Sequence, residues 1–181
     1  KSHARVVVIG GGVVGVSTLY HLPRKGWSDV VLLERTELTA GSTWHAAGLL
    51  PLFNMSYTVG QLHKYSVDLY KRLPAETGQD VSFHVTGNLR LATCRDRMDE
   101  YRKYTGTANT IGVPFQLISP AEVKELWPLV NLGGDADTPA VIGALYHPDD
   151  GHIAPADLTA ALRKAARSAG AEINEQTEVT G

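Results

Sequence analysis

A glycine run near the start of the chain lies between two apolar segments, and this arrangement restricts the fold more than any other feature. Gly10-Gly11-Gly12-Val13-Val14-Gly15 follows a β-branched run at residues 5–9 and opens a segment with helical spacing of apolar residues, 13–25. A second apolar run, 29–34, ends at Glu34, roughly 20 residues after the glycines. Strand, glycine turn, helix and strand in this order predict a βαβ unit of the dinucleotide-binding type.

Each residue type in this unit has a physical task. Gly10 permits a tight turn, Gly12 lets the backbone approach a pyrophosphate, and Gly15 lets the helix pack close to the strand. The helix N-terminus offers N–H groups and a partial positive charge to phosphates. Glu34 can accept hydrogen bonds from ribose hydroxyls and would repel a 2′-phosphate, so NADP is disfavoured. A glycine-rich turn that binds no ligand is the alternative.

A second motif, Gly41-Ser42-Thr43-Trp44-His45-Ala46-Ala47-Gly48, follows shortly afterwards. Residues 41–43 offer backbone N–H groups and hydroxyls, which suit a pyrophosphate or a ribityl chain, although an ordinary polar turn has the same composition. A neutral imidazole at His45 is a competent nucleophile near physiological pH. On position alone, His45 could equally be a loop histidine that packs beside Trp44 or hydrogen-bonds a carbonyl.

Residues 6–50 resemble the D-amino-acid-oxidase-like superfamily of FAD oxidoreductases, and especially its dimethylglycine and sarcosine dehydrogenase branch. The resemblance covers nearly the whole chain and is weakest at residues 135–140. The segments that carry it are 39–49, 76–78, 87–93, 119–122 and 149–155.

The resemblance implies FAD as the cofactor, bonded through its 8α-carbon to the histidine that corresponds to His45. It also implies a set of cofactor-binding residues spread over both motifs. These are Gly10, Gly12, Gly15, Glu34, Arg35, Gly41, Ser42, Thr43, His45, Gly48 and Leu49. The groups that act on the substrate amine are expected beyond residue 181.

The reaction implied by the resemblance is oxidative N-demethylation of a small N-methylated glycine, dimethylglycine before sarcosine, with hydride transfer from an N-methyl carbon to flavin N5. Electrons would then pass to an electron-transfer flavoprotein or to oxygen, and tetrahydrofolate in a downstream domain could trap the iminium. The expected location is the cytoplasm of a bacterium or the mitochondrial matrix of a eukaryote. The resemblance also implies that the molecular partner is a small methylated amine.

Other functions remain open. An oxidase of another secondary amine would have the same motifs. A non-catalytic regulatory homologue would share the fold, and the superfamily includes a phosphatase regulatory subunit that lacks the matching histidine, so retention of residues 44–48 favours an enzyme. A plain NAD-binding module would need neither His45 nor a long inserted segment.

The whole sequence predicts an α/β fold in which a Rossmann-like FAD-binding βαβ domain is interrupted by an α+β substrate domain with an antiparallel sheet. Residues 1–50 would form the first part of the FAD domain, 51–148 the substrate-domain segment, and 149–181 an incomplete return. The chain is thus expected to be an N-terminal fragment.

Periodicity and end signals place the elements of the inserted segment and the return. A turn at Gly87-Asn88 would join two strands. His84 and His147 would lie on or beside strands, where a structural role is favoured over a position facing the flavin cavity. Helices are predicted over 60–73, 95–112 and 155–169, with a charged and solvated one at 95–112, a capping box at 119–122, and strands within 81–93, at 141–146 and from 171.

Composition excludes several classes of function. The 181 residues are 43% hydrophobic and carry a formal net charge of −2, as expected of a folded domain. Scattered Lys and Arg argue against nucleic-acid binding, and the sequence has no apolar run long enough for a membrane span. A single cysteine, Cys94, excludes an internal disulfide and fits a reducing compartment. Residues 149–152 indicate a tight turn, and no metal site is expected.

Overall fold

The computed structural model describes residues 2–180 and divides into two compact units. Unit 1 contains the described residues of Lys1–Leu49, Leu69–Phe83 and His152–Gly181, and unit 2 contains Leu50–Asp68 and His84–Gly151. Residues 69–83, which lie within the predicted middle segment of 51–148, belong to unit 1.

The described chain contains short strands and longer helices, in agreement with the mixed α/β class. The strands are β1 (Val6–Ile9), β2 (Val30–Leu33), β3 (Leu49–Leu50), β4 (His84–Val85), β5 (Asn88–Ala92), β6 (Gln116–Ile118), β7 (Gly143–His147), β8 (Gly151–His152) and β9 (Glu172–Asn174). The helices are α1 (Val13–Arg24), α2 (Tyr57–Thr77), α3 (Arg95–Ile111), α4 (Pro120–Leu126) and α5 (Pro155–Ser168).

Unit 1 is built on a parallel three-stranded sheet of order β1-β2-β9. Leu32 of β2 is fully buried and is in register with Val8 of β1 on one side and Ile173 of β9 on the other. Helices α1 and α5 pack against each other, with Leu19 and Leu162 fully buried. Burying each such leucine stabilises the fold by about 1.5–3 kcal/mol. The predicted βαβ unit and its extension by a later strand are confirmed.

Unit 2 contains an antiparallel sheet of order β5-β7-β6, as expected. The predicted turn near Gly87 lies between β4 and β5, but it does not form a hairpin, because β5 pairs with β7 whereas β4 belongs to a sheet of order β3-β8-β4. The reason is a contact distant in sequence: the N–H groups of Thr86 and Gly87 donate to the Asp150 carbonyl at 3.2 and 2.9 Å. The turn therefore joins strands of two different sheets, which the sequence pattern did not indicate.

Helix α3 begins and ends close to its predicted bounds, but it is not simply a solvated helix. It buries Met98, Tyr101, Tyr104 and Ala108, which recur every three or four residues and form one apolar face. The charged residues between them hid this face in the sequence. The predicted capping box is present at the start of α4, where the Ser119 hydroxyl accepts from the N–H of Glu122.

Candidate functional site

The glycine turn follows the carboxyl end of β1 in unit 1. Gly10 has φ +104°, in the region that favours glycine, and its N–H donates to the Leu33 carbonyl at 2.9 Å. A Cβ on Gly15 would overlap the Gly10 carbonyl oxygen and would lie 3.5 Å from Val8 Cγ1. The structure therefore places Gly10 in a tight turn and Gly15 at a close helix–strand contact.

The second motif meets the first at the start of α1, through Thr43. This side chain is only 7% exposed, and its Oγ1 accepts from the N–H of Val13 at 2.9 Å. Its hydroxyl proton stays available for donation, since a hydroxyl both donates and accepts. The first turn of α1, which lies wholly within the described chain, carries no acidic residue. The positive end of this helix thus keeps its attraction for an anion.

Glu34 follows β2 and holds the glycine turn through its carboxylate. Oε2 accepts from the N–H of Gly11 at 2.7 Å, and Oε1 accepts from the N–H and the hydroxyl of Thr36 at 2.9 and 3.0 Å. The N–H of Thr36, followed by that of Gly11, lowers the pKa of Glu34 below its ordinary value, so the group is an anion at neutral pH. A carboxylate offers about four acceptor positions, so a ribose hydroxyl can still bind.

Sequence reasoning missed the middle glycine of the run and its partners. Besides donating to Glu34, Gly11 accepts through its carbonyl from the N–H of Thr39 at 3.1 Å. A Cβ on Gly11 would overlap the side chain of Leu38 and would lie 3.1 Å from Glu34 Cβ. The signal was available, since a glycine stands at position 11, which the fingerprint leaves unspecified.

These elements enclose a groove of about 630 Å³, lined by residues 10–14, 34–37 and 40–43. A recess of about 310 Å³ shares Gly10 and residues 34–35 with it and reaches residues 177–179. The predicted site residues that line the groove are Gly10, Gly12, Glu34, Arg35, Gly41, Ser42 and Thr43. The remaining predicted residues, Gly15, His45, Gly48 and Leu49, do not line it.

His45 lies on an exposed loop directly after the groove residues. Its ring centroid is 5.1 Å from that of Trp44, which is 66% exposed. The N–H of Trp44 donates to the Thr39 carbonyl at 3.3 Å, and that of Ala46 donates to the Thr43 carbonyl at 3.2 Å. Within residues 2–180 we find no hydrogen bond to the His45 ring. The imidazole is therefore accessible on a loop whose backbone is held.

Gly48 anchors this loop three residues after His45. It is buried, has φ +72°, and accepts through its carbonyl from the N–H of Ile153 at 2.9 Å. A Cβ on Gly48 would overlap the Ile153 carbonyl oxygen. Leu49, the next residue, is 67% exposed at the start of β3. The structure thus gives Gly48 a backbone role that composition alone did not reveal.

A family model described as FAD dependent oxidoreductase matches residues 5–181. The chain belongs to this family. Mitochondrial dimethylglycine dehydrogenase of Rattus norvegicus is 45% identical over 180 residues, which are 99% of this chain and 20% of that protein. The mitochondrial pyruvate dehydrogenase phosphatase regulatory subunit of Mus musculus is 38% identical over 98% of this chain and 20% of its own length. The chain thus spans about a fifth of these curated relatives.

Among solved structures, that of L-proline dehydrogenase from P. horikoshii matches with a TM-score of 0.87 and 32% identity. The match covers 98% of this chain and 45% of the other. It confirms that both units have the fold of FAD-dependent oxidoreductases. No described helix is long and apolar enough to cross a membrane. Among residues 2–180, no group of three or more His, Cys, Asp and Glu side chains could hold a metal ion.

The groove has the features that FAD requires. Gly12 lacks a side chain where the backbone must approach a phosphate, and the start of α1 and the Thr43 hydroxyl offer donors to it. The Glu34 carboxylate has acceptor positions left for a ribose. The donors and the carboxylate thus lie at separate points of one groove, as a dinucleotide needs.

We expect Glu34→Gln to weaken FAD binding by roughly 2- to 10-fold. Whichever way the amide turns, its NH₂ group faces the N–H of Gly11 or of Thr36, and the lost hydrogen bond loosens the turn that FAD would contact, at a cost of about 0.5–1.5 kcal/mol for a partly exposed group. Titration of the full-length apoprotein with FAD measures the effect. Glu37→Gln is the matched control, since Glu37 lines the same groove. Equal affinity of both variants would contradict this role for Glu34.

The stability that Glu34 contributes to the folded protein should depend on pH. Because the pKa of Glu34 is lowered in the folded protein, its contribution is present above the ordinary value of 4.5 and is lost as the pH falls through the lowered one. The difference in the free energy of unfolding between wild type and Glu34→Gln should therefore shrink below about pH 4.5. Urea unfolding of both full-length proteins at a series of pH values checks the sign.

We expect Gly48→Ala to loosen the His45 loop. Alanine in the left-handed conformation costs roughly 1–2 kcal/mol, and its methyl group would also overlap the Ile153 carbonyl. Hydrogen exchange in the full-length protein should become faster in the peptide that contains residues 44–49. Gly106→Ala is the control, because a Cβ at Gly106 meets no atom of the described chain within 4 Å. Unchanged exchange at the loop would refute the anchor.

Proposed function

We propose that the protein containing this chain is an FAD-dependent oxidoreductase that removes an N-methyl group from a small N-methylated glycine, dimethylglycine ahead of sarcosine. The observation that carries this proposal is the 45% identity to rat dimethylglycine dehydrogenase across 99% of the chain. The dinucleotide groove and the accessible His45 beside it support the proposal, since both suit a flavin enzyme.

In this proposal the chain binds and orients the cofactor. The turn at residues 10–15, the start of α1 and the Thr43 hydroxyl hold the pyrophosphate, and Glu34 holds a ribose. Arg35 and residues 41–42 line the same groove and complete the contacts. When bound, FAD supplies an acceptor for the two electrons of a hydride taken from an N-methyl carbon. Orientation of the cofactor is the contribution of this chain to the rate.

His45 is proposed as the point of covalent attachment. Its ring is accessible, no described residue hydrogen-bonds it, and its loop is held by Thr39, Thr43 and Gly48. A held loop with an accessible imidazole suits attack by a ring nitrogen on an electron-poor carbon. Leu49 follows the anchor and is proposed to contact the same cofactor.

The remaining parts of the proposal concern the rest of the protein. The electron acceptor is proposed to be an electron-transfer flavoprotein or oxygen, and tetrahydrofolate is proposed to bind downstream of this chain. Two relatives are named mitochondrial, which supports the matrix as the location if the source is a eukaryote. A bacterial protein would be cytoplasmic.

Two other functions are favoured by specific comparisons. The match to L-proline dehydrogenase supports oxidation of another secondary amine. The 38% identity to a phosphatase regulatory subunit supports a non-catalytic homologue. The presence of His45 alone does not distinguish these alternatives, because an enzyme also needs a bound flavin that accepts electrons. A direct test on substrates is therefore needed.

Anaerobic bleaching of the flavin in the full-length protein is that test. We expect dimethylglycine to bleach it fastest, sarcosine more slowly and L-proline least. Fastest bleaching by L-proline would favour the other secondary amines. A bound flavin that dithionite reduces, but that none of these amines bleaches, would favour the regulatory homologue.

A further inference from the structure

A group of buried polar side chains lies in unit 2, outside the groove. His147 on β7 and Asp150 after it are 0% and 1% exposed. Asn88 on β5 is in register with His147, so both side chains lie on one face of the sheet, and Arg90, two residues further, shares that face. Tyr104 of α3 reaches the group, with its Oη 3.0 Å from His147 Nε2. His147 is thus structural in position.

Several polar atoms of this group have no hydrogen-bond partner in the described chain. Buried polar atoms are paired in more than about 90% of cases, and an unpaired one costs about 1–3 kcal/mol. A concentration of such atoms within one unit therefore calls for a ligand. They are His147 Nδ1, Asp150 Oδ2, Arg90 Nε and Asn88 Oδ1, each with less than 1 Å² exposed.

The charges in this group are close but not joined. No ion pair between Arg90 and Asp150 occurs among the described residues; instead Arg90 Cζ lies 4.6 Å from the ring centroid of Phe53. Burial raises the pKa of Asp150 to about 6 and lowers that of His147 to about 4. At pH 7 the group therefore contains a buried carboxylate, a guanidinium and a neutral imidazole.

The hydrogen bonds that are present fix which atoms can donate. We assign the Tyr104 hydroxyl proton to the Leu52 carbonyl, 3.3 Å away, which makes the hydroxyl oxygen the acceptor at the His147 contact and places the imidazole proton on Nε2. His147 Nδ1 is then an acceptor, as is Asp150 Oδ2, whereas Arg90 Nε is a donor. Two acceptors and one donor are complementary to a single water molecule.

We propose that one internal water molecule binds between these side chains. It accepts from the Arg90 Nε–H and donates to Asp150 Oδ2 and His147 Nδ1. Three hydrogen bonds are the usual number for an internal water, and all three atoms are sealed from bulk solvent.

This water completes a network that holds one segment of the chain. Asp150 Oδ1 accepts from the N–H of Leu52 at 2.9 Å, and Tyr104 donates to the carbonyl of the same residue. The water joins Asp150 to His147, and His147 is joined to Tyr104. Both backbone groups of Leu52 are thus held by one connected network.

A crystal structure of the full-length holoprotein, at a resolution that defines ordered waters, tests the site. The expected result is a water within about 2.7–3.2 Å of Arg90 Nε, Asp150 Oδ2 and His147 Nδ1. Absence of density between these atoms, or direct contact of Arg90 with Asp150, would overturn the proposal.

Hydrogen exchange tests the network without crystals. Tyr104→Phe removes only the hydroxyl, and we expect roughly 3- to 10-fold faster exchange in the peptide that contains Leu52. Tyr101→Phe is the matched control, because Tyr101 is also buried on α3 but bonds to the Leu91 carbonyl. Equal exchange in the two variants would overturn the network that holds Leu52.

Discussion

Full-length protein carrying Gly12→Val is expected to be purified without flavin. The branched side chain would occupy the space through which the backbone approaches the pyrophosphate, and its Cβ would lie 3.0 Å from the Thr43 hydroxyl. The backbone itself is not strained, since Gly12 has φ −73° and ψ 174°, which any residue adopts. The loss should therefore fall on cofactor binding, with the fold retained. The flavin absorbance of the purified protein relative to its protein absorbance measures the effect.

The matched control for this variant is Gly106→Val. A Cβ at Gly106, on α3, meets no atom of the described chain within 4 Å, so this valine adds the same side chain outside the groove. Its flavin content should equal that of wild type. Normal flavin in a well-folded Gly12→Val protein would refute the assignment of the groove to FAD.

His45→Ala is expected to abolish acid-stable flavin while leaving some dissociable FAD. The groove residues proposed to hold the dinucleotide, Gly12, Glu34 and Thr43 among them, are untouched by this change. His45 is exposed and makes no hydrogen bond within the described chain, so its loss should cost little stability. Catalysis should fall without vanishing, because the proposed covalent bond would fix ring position whereas electron acceptance belongs to the flavin.

Acid precipitation followed by mass spectrometry of the tryptic peptide containing His45 decides the question. Wild type should give a yellow pellet and a flavin-modified peptide, and His45→Ala a colourless pellet. His3→Ala is the control, since His3 is also exposed but lies outside the loop that follows the groove residues. An unmodified wild-type peptide at full abundance would rule out covalent attachment.

Local signals in the sequence were sufficient for much of unit 1. Strand, glycine turn and helix are specified by neighbouring residues, and α5 begins at Pro155 as predicted and ends at Ser168, one residue before the predicted end. Pairing in unit 2 was not predictable in the same way. The turn at Gly87 is held by the carbonyl of Asp150, which lies far away in the sequence. No local pattern encodes that contact.

The candidate site shows the same contrast. The residue types of both motifs indicated a dinucleotide and a reactive histidine, but they did not show that Thr43 closes the start of α1. The carboxylate of Glu34 was expected to face a ribose, whereas it also holds Gly11 and Thr36. Such contacts depend on the path of the chain between residues 34 and 43, which has no helical or strand period to reveal it.

The hydrogen bond from Val13 to Thr43 determines how long a segment must be moved to transfer this groove to another protein. A glycine motif copied alone into another protein would lack both the hydroxyl that closes the helix start and the carboxylate that holds its turn. The smallest portable piece therefore runs from β1 to Thr43 and includes the return strand β9, whose Asn174 carbonyl accepts from the N–H of Glu34 at 2.9 Å. Engineers who recombine flavoproteins should place their junctions outside these limits.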